Sequence, residues 1–173
     1  MSMHSRTMLS EEEFLSLPDI PGKQELLDGE LIDLPPAKRY HSVTAKKLMH
    51  LLATVLDESR VWHEEAYWLR EGRWLIPDVS VSWPDQPTER GWHKGSPMLA
   101  IEIASRGNTA EELESKTAIY LEQGAAEVWV LYPKTQTIVV SRKDDILRIS
   151  PGDTYYCELL NLTVISDFPL PEE

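Results

Sequence analysis

The segment 98–132 constrains the fold more than any other part of this chain. It opens with a short apolar run, MLAIEIA, that carries a single carboxylate at Glu102, and such a run is typical of a central, buried strand. A helix is predicted to begin at Thr109 and to be capped by Gly124, and a second strand is predicted over 127–132. A strand, a helix and a strand in this order predict an α/β domain with a mixed sheet and helices packed on it.

Turn residues and hydrophobic spacing predict the other elements. These are a helix over 11–17, a hairpin turning at 28–29, a helix over 41–56, strands over 61–69 and 74–83, a long flap or binding loop over 84–97, and strands over 137–141 and 146–149. The chain shows no internal repeat, low-complexity segment or linker. One domain covering residues 1–173 is therefore expected.

The charge balance argues against tight, non-specific binding of DNA. Lys and Arg number 17 against 29 Asp and Glu, which gives a net charge of -12, whereas nucleic-acid binders usually show a basic footprint. Net charge is not local charge, so a metal-dependent nuclease is not excluded. The lone Cys157 and the lack of a long apolar run or an apolar leader lead us to expect a cytoplasmic protein without a membrane contact.

The sequence lacks the motifs of several other catalytic classes. The segment HEEAY at 63–67 is not the zinc-protease pattern H-E-x-x-H. The sequence contains neither a Gly-rich phosphate loop nor a G-x-S-x-G nucleophile elbow.

Two acids in apolar strands remain as the candidate chemistry. Side chains alternate along a strand, so Glu102 shares a face with two small alanines, and Asp78 is the acid of a second β-prone run, WLIPDVSV. Burying such carboxylates is unfavourable unless cations or donors compensate them. The compensating group could be Mg²⁺ or Mn²⁺, with the Ile103 carbonyl as a further ligand, or an Arg or main-chain donor.

The order of these segments resembles a known family. Pro77-Asp78 followed by the Glu102 strand is similar to the PD-(D/E)xK nuclease signature. More narrowly, the chain resembles the Uma-two family of restriction-endonuclease-like proteins. The matching segments are ELLDGELI at 25–32, HSVTAKKL from 41, IPDVSV from 76 and IEIASRGNTAEELESKTAIYLEQGAAEVWVLYP at 101–133.

The resemblance implies a restriction-endonuclease-like α/β fold, with a central mixed sheet flanked by helices, and a metal-dependent endonuclease. It makes Asp78 and Glu102 ligands of Mg²⁺ or Mn²⁺, and Glu25 the acid that completes the site. The superfamily lysine is replaced by Ala104, so Lys116 on the following helix is its implied substitute, and His41 is implied to contact phosphate or carry a proton. The implied partners are nucleic acid, DNA rather than RNA, and a second copy of the chain.

Three alternatives stay open at this stage. Lys116 could instead be a solvated lysine paired with Glu112, four residues earlier. Asp78 and Glu102 could form salt bridges to arginines in a structural or interaction protein. The scaffold could also have lost catalysis and serve as a module that binds nucleic acid or protein, as Ala104 and the net charge of -12 suggest.

Overall fold

The computed structural model describes residues 6–169, which contain three α-helices and fourteen β-strands. The helices are α1 (Glu11–Leu15), α2 (Arg39–Ala53) and α3 (Ala110–Glu122). The strands are β1 (Lys23–Leu27), β2 (Glu30–Leu34), β3 (Val61–His63), β4 (Tyr67–Arg70), β5 (Arg73–Leu75), β6 (Val79–Val81), β7 (Thr88–Glu89), β8 (Trp92–Lys94), β9 (Leu99–Ile103), β10 (Glu127–Tyr132), β11 (Thr137–Arg142), β12 (Asp145–Ile149), β13 (Thr154–Cys157) and β14 (Leu162–Ile165). The single domain expected over 1–173 includes residues 1–5 and 170–173, which lie outside the described residues.

Twelve of these strands form two six-stranded sheets. Sheet 1 has the order β12-β11-β10-β9-β6-β3, and its central pair, β9 and β10, is parallel and linked through α3. Sheet 2 has the order β2-β1-β5-β4-β8-β7. Strands β13 and β14 form a separate hairpin. The expected mixed α/β architecture is confirmed, with the predicted strand-helix-strand unit at its centre.

Sheet 1 separates two apolar clusters. Leu99, Ile101 and Ile103 of β9 lie in a cluster with residues of α2 and the β13–β14 hairpin. Ala100 lies in the other cluster, with residues of α3 and sheet 2. The predicted alternation along β9 is therefore confirmed, and Glu102 belongs to the side that faces α3 and sheet 2.

The helix signals were accurate to within a few residues. Thr109 caps α3 with a complete capping box, and Gly124 follows the helix with a left-handed φ of 106°. Helix α1 ends at Leu15, earlier than predicted, because Ser16 already makes the C-terminal cap bonds. Within residues 6–169, the helices are too short or too polar to cross a bilayer.

The strands predicted over 61–69 and 74–83 are each divided between the two sheets. Strand β3 pairs with β6 in sheet 1, whereas β4 pairs with β5 in sheet 2. The first run breaks at Glu64, which adopts a left-handed φ of 52°, and the second breaks around Pro77, which cannot donate a ladder hydrogen bond. Over residues 61–81 the chain thus crosses between the sheets twice, and the second of these crossings leads into Asp78.

The segment 84–97, predicted to be a flap or a binding loop, is only in part a loop. It contains the short hairpin β7–β8, which turns at Arg90 and Gly91, both with positive φ. Strand β8 then extends sheet 2 by pairing parallel to β4. Main-chain hydrogen bonds therefore hold this segment against the sheet.

Candidate active site

Three buried carboxylates meet where the two sheets face each other. Glu25 lies on β1 of sheet 2, Asp78 directly precedes β6, and Glu102 lies on β9. All three are at most 4% exposed. Because Val79 of β6 pairs with Ile101 of β9 in antiparallel register, the residues that flank this pair, Asp78 and Glu102, are brought to the same position along the sheet.

Asp78 is held by three donors. Its Oδ1 lies 2.6 Å from Lys23 Nζ, and its Oδ2 lies 3.0 Å from His41 Nε2 and accepts the Ile103 main-chain N–H at 2.7 Å. Burial acts to raise the pKa of the Asp78 carboxyl, but the His41 contact and the Lys23 charge outweigh it and lower the pKa below its usual value. Asp78 therefore stays ionised.

Glu102 is less well compensated. Its Oε1 accepts a hydrogen bond of 3.0 Å from the Tyr120 hydroxyl and lies 3.5 Å from Lys116 Nζ. Burial raises the pKa of Glu102 to about 7, and the neighbouring Asp78 charge acts in the same direction against the opposing effect of Lys116. This carboxylate is thus a buried charge that is short of positive partners.

Lys116 of α3 reaches across to sheet 2. Its Nζ lies 2.9 Å from Glu25 Oε1 and 2.8 Å from Oε2, and Glu25 Oε1 also accepts the Ile76 N–H at 2.9 Å. Burial alone would lower the pKa of Lys116, yet the Glu102 and Glu25 carboxylates raise it above its ordinary value. The alternative partner Glu112 is instead engaged in the α3 capping box.

The structure thus brings together every residue that the sequence proposed for the site. Asp78, Glu102, Glu25 and His41 are buried, and Lys116 is nearly so. The Ile103 main chain also reaches the site, through its N–H to Asp78, while metal ligation by its carbonyl stays a prediction.

Lys23 is the site residue that sequence reasoning missed. A signal for it existed, because Lys23 and Glu25 are two positions apart on β1 and must share a face of the strand. Burial acts to lower the pKa of Lys23, but the Asp78, Glu102 and Glu25 charges raise it above its ordinary value. The site therefore holds a second buried ammonium group that the motif does not contain.

Two buried atoms of the site have no hydrogen-bond partner among the described residues. These are His41 Nδ1 and Glu25 Oε2, the latter lying near Lys116 Nζ without hydrogen-bond geometry. With a neutral imidazole at His41, three carboxylates face two ammonium groups. Unmet polar atoms and surplus negative charge are features of a site that accepts a further cation or a polar ligand.

The chemistry of the donors fits a divalent ion, although they are not yet arranged around one. Within residues 6–169, no three His, Cys, Asp or Glu side chains are grouped as a ready metal site. The oxygen donors of Asp78 and Glu102 are those that Mg²⁺ and Mn²⁺ prefer. The basic side chains in contact with these acids are Lys23 and His41 at Asp78 and Lys116 at Glu102, so a metal would compete with them for the carboxylate oxygens.

A family model also matches most of this chain. Residues 11–162 match the model of the Uma2 family, which is described as "Putative restriction endonuclease". The chain belongs to the Uma2 family. This membership supports a nuclease function in general. No curated protein is similar enough to match the chain.

A solved structure shares the fold. It is titled as a putative nuclease belonging to DUF820 from Anabaena variabilis, and it superposes with a TM-score of 0.79. The alignment covers 91% of this chain and 95% of that one at 22% sequence identity. This similarity establishes the nuclease-like fold of the Uma2 chain.

Proposed function

We propose that this Uma2 chain is a metal-dependent endonuclease that hydrolyses phosphodiester bonds of nucleic acid, with DNA rather than RNA as substrate. The observation that carries the proposal is the convergence of Asp78, Glu102 and Lys116 in one buried cluster between the sheets. Two acids and a lysine in such a cluster suit phosphodiester cleavage, because charge develops on the phosphate during attack by water.

Asp78, Glu102 and the Ile103 carbonyl would hold Mg²⁺ or Mn²⁺. When bound, the metal supplies positive charge that polarises the scissile phosphate and makes water a stronger nucleophile at neutral pH. The low pKa of Asp78 keeps this ligand ionised without the metal.

The remaining residues orient and balance these groups. The Tyr120 hydroxyl fixes Glu102, and Glu25 holds Lys116 in place. Lys116 stays charged and stabilises the negative charge that develops on the phosphate. His41 orients Asp78 through Nε2, and we propose it as the residue that carries a proton during the reaction.

Calorimetric titration with Mn²⁺ and Mg²⁺ tests the metal site first. Wild type is compared with Glu102→Gln, and Glu114→Gln, an exposed acid on the same helix as Lys116, is the matched control. We expect binding to wild type and to the control, and its loss in Glu102→Gln. Titrations are repeated with a short DNA duplex present, because Mg²⁺ sites are often completed by substrate phosphate.

Cleavage of supercoiled plasmid in Mn²⁺, Mg²⁺ or EDTA then tests the reaction. Nicking that requires the metal and disappears in Glu102→Gln supports the endonuclease. Nucleic-acid binding that EDTA leaves unchanged, with no cleavage in either metal, would instead support a non-catalytic binding module.

The proposal includes a homodimer acting in the cytoplasm. Cutting both strands of a duplex needs two sites, and β12 is an edge strand of sheet 1 with Ile146 72% exposed. Light scattering should give twice the mass of 19.8 kDa, and a monomeric mass at assay concentrations would contradict the dimer. Cell fractionation tests the location, for which the reduced, buried Cys157 is the support.

A further inference from the structure

We propose that Lys23 is an internal substitute for the divalent cation at Asp78, and that metal binding moves its ammonium group onto a substrate phosphate. The inference rests on the nuclease function proposed above. It assigns Lys23 the role of a positioning residue that couples metal binding to nucleic-acid binding.

The Lys23 ammonium occupies a cation position made of oxygen atoms. Its Nζ lies 2.6 Å from Asp78 Oδ1 and 3.2 Å from the Ile76 carbonyl oxygen. A carboxylate and a main-chain carbonyl are also ligands that hard divalent cations accept. The Lys23 side chain is only 11% exposed, so water screens this contact little.

The other oxygen of Asp78 offers a metal less room. Oδ2 already receives the Ile103 N–H at 2.7 Å and His41 Nε2 at 3.0 Å. A divalent cation that binds Asp78 therefore has to reach Oδ1. Two cations repel each other strongly at contact distance in a buried site, so the metal and the Lys23 ammonium compete for that oxygen.

The two lysines of the site should respond differently when a metal binds Asp78 and Glu102. Lys116 contacts both oxygens of Glu25 within 2.9 Å and keeps that partner while a metal binds Asp78 and Glu102. Asp78 is the carboxylate that the structure places in contact with Lys23. Once the metal takes Asp78, the Lys23 ammonium needs another anion.

A substrate phosphate is the anion that arrives at this site. The four-carbon stem of lysine is flexible and its ammonium binds phosphate as a compact charge. If phosphate receives the displaced ammonium, nucleic acid strengthens metal binding, and by linkage the metal strengthens nucleic-acid binding by the same factor.

The test is a titration of Lys23→Met with Mn²⁺, with and without a short phosphorothioate DNA duplex that resists cleavage. Lys47→Met, an exposed lysine of α2, is the matched control. We expect Lys23→Met to bind Mn²⁺ about tenfold more tightly than wild type without DNA, within the usual range of such couplings. The duplex should improve Mn²⁺ affinity in wild type and much less in the variant. Unchanged or weaker Mn²⁺ binding by Lys23→Met would overturn the inference.

Thermal melting guards against a variant that folds poorly. Without metal, Lys23→Met leaves Asp78 short of a partner, so its melting temperature in EDTA should fall below that of wild type. Mn²⁺ should then raise its melting temperature more than that of wild type, because the metal replaces the missing charge. Lys23→Gln should behave in the same way, and an equal Mn²⁺ shift in all three proteins would contradict the proposal.

The outcomes separate this inference from the proposed function. If neither wild type nor Lys23→Met binds Mn²⁺ with or without DNA, both fail. If wild type binds Mn²⁺ and Glu102→Gln does not, while Lys23→Met has wild-type affinity, the metal site stands and the role of Lys23 is wrong.

Discussion

Within residues 6–169, two regions bury carboxylates, and they compensate them in different ways. In the Glu127 cluster, at the start of β10, Oε1 lies 2.9 Å from Arg142 Nε, and both oxygens lie 3.0 Å from the Tyr155 hydroxyl. Oε2 also accepts the Trp129 indole N–H at 2.8 Å and contacts Cys157 Sγ at 3.5 Å. The Arg142 guanidinium, which also pairs with the exposed Asp145 at 3.1 Å, balances this buried acid, and donors surround both of its oxygens.

With a neutral His41, the cluster between the sheets has more acids than cations. Glu102 contacts a neutral hydroxyl at 3.0 Å and an ammonium at 3.5 Å that is held more closely by Glu25. A buried charge that is fully paired contributes to one stable structure, whereas surplus buried charge retains affinity for an external cation. The difference in compensation, rather than burial itself, distinguishes the candidate site from the structural cluster.

The largest expected difference between the two clusters is in the rate of metal-dependent cleavage. Glu102→Gln should reduce metal-dependent plasmid cleavage by about 10²- to 10³-fold, as expected when one group that stabilises transition-state charge is lost. Glu127→Gln, the same substitution in the self-balanced cluster, should cleave at nearly the wild-type rate below its melting temperature. Initial nicking rates measure both. Equal losses in the two variants would remove the distinction between the clusters.

The same two substitutions should affect the free energy of unfolding in the opposite order, with the larger loss in the Glu127 cluster. Glu127→Gln should lower the free energy of unfolding by about 2 kcal/mol, because Arg142 loses its charged acceptor and an amide N–H₂ then faces other donors. Glu102→Gln should leave it unchanged or raise it, since the substitution removes a poorly compensated buried charge. Urea denaturation at pH 8 measures both values. A clear loss of stability in Glu102→Gln would show that its charge is well paired after all.

A double-mutant cycle sharpens the assignment of Lys116. Coupling between Lys116→Met and Glu25→Gln should be about 1–2 kcal/mol, because the two groups are in direct buried contact. Coupling between Lys116→Met and Glu112→Gln should be close to zero, since Glu112 caps α3. Unfolding free energies of the four proteins in each cycle give the result. The reverse pattern would restore the solvated-lysine interpretation.

The smallest expected effect is on the pH dependence of stability, through His93, which lies outside both clusters. His93 stacks on Tyr67 and lies edge-on to Trp62, and burial lowers the pKa of His93 below its ordinary value of 6.5. The unfolded chain therefore binds this proton more readily, so stability should fall as the pH drops below about 6.5. His93→Phe should show a weaker decrease between pH 7 and pH 5 in thermal melts. An identical pH dependence would mean that other groups account for the decrease.

Sequence reasoning succeeded where the signal is local. The period of two along β9 places Glu102 opposite the Ile101 face, and the capping box at Thr109 fixes the start of α3. Such patterns depend on residues a few positions apart, which is the range that periodicity and capping rules describe. The grouping of Glu25 and Lys116 with Asp78 and Glu102 came instead from the family resemblance, because these residues are far apart in the sequence.

Sequence reasoning failed where the structure depends on which strands pair with each other. The left-handed backbone at Glu64 divides one predicted strand between two sheets, and the two-residue strand β7 is too short to show an alternating pattern in the sequence. The Glu127 cluster joins β10, β11 and β13, with Tyr155 28 residues away from the acid. Lys23 contacts Asp78 only because β1 lies beside β5. These contacts depend on which strands pair, and a single sequence does not specify the pairing.

The contact between Lys116 and Glu25 also has a consequence for folding. The two residues are 91 positions apart, and Lys23 and Asp78 are 55 apart. Contacts of such long sequence separation require large loops to close, so they form late along a folding pathway. The acids and lysines remain separated and hydrated until the two sheets dock. The proposed cleavage centre is therefore assembled only after the segment from Lys23 to Lys116 has been synthesised and the two sheets have docked.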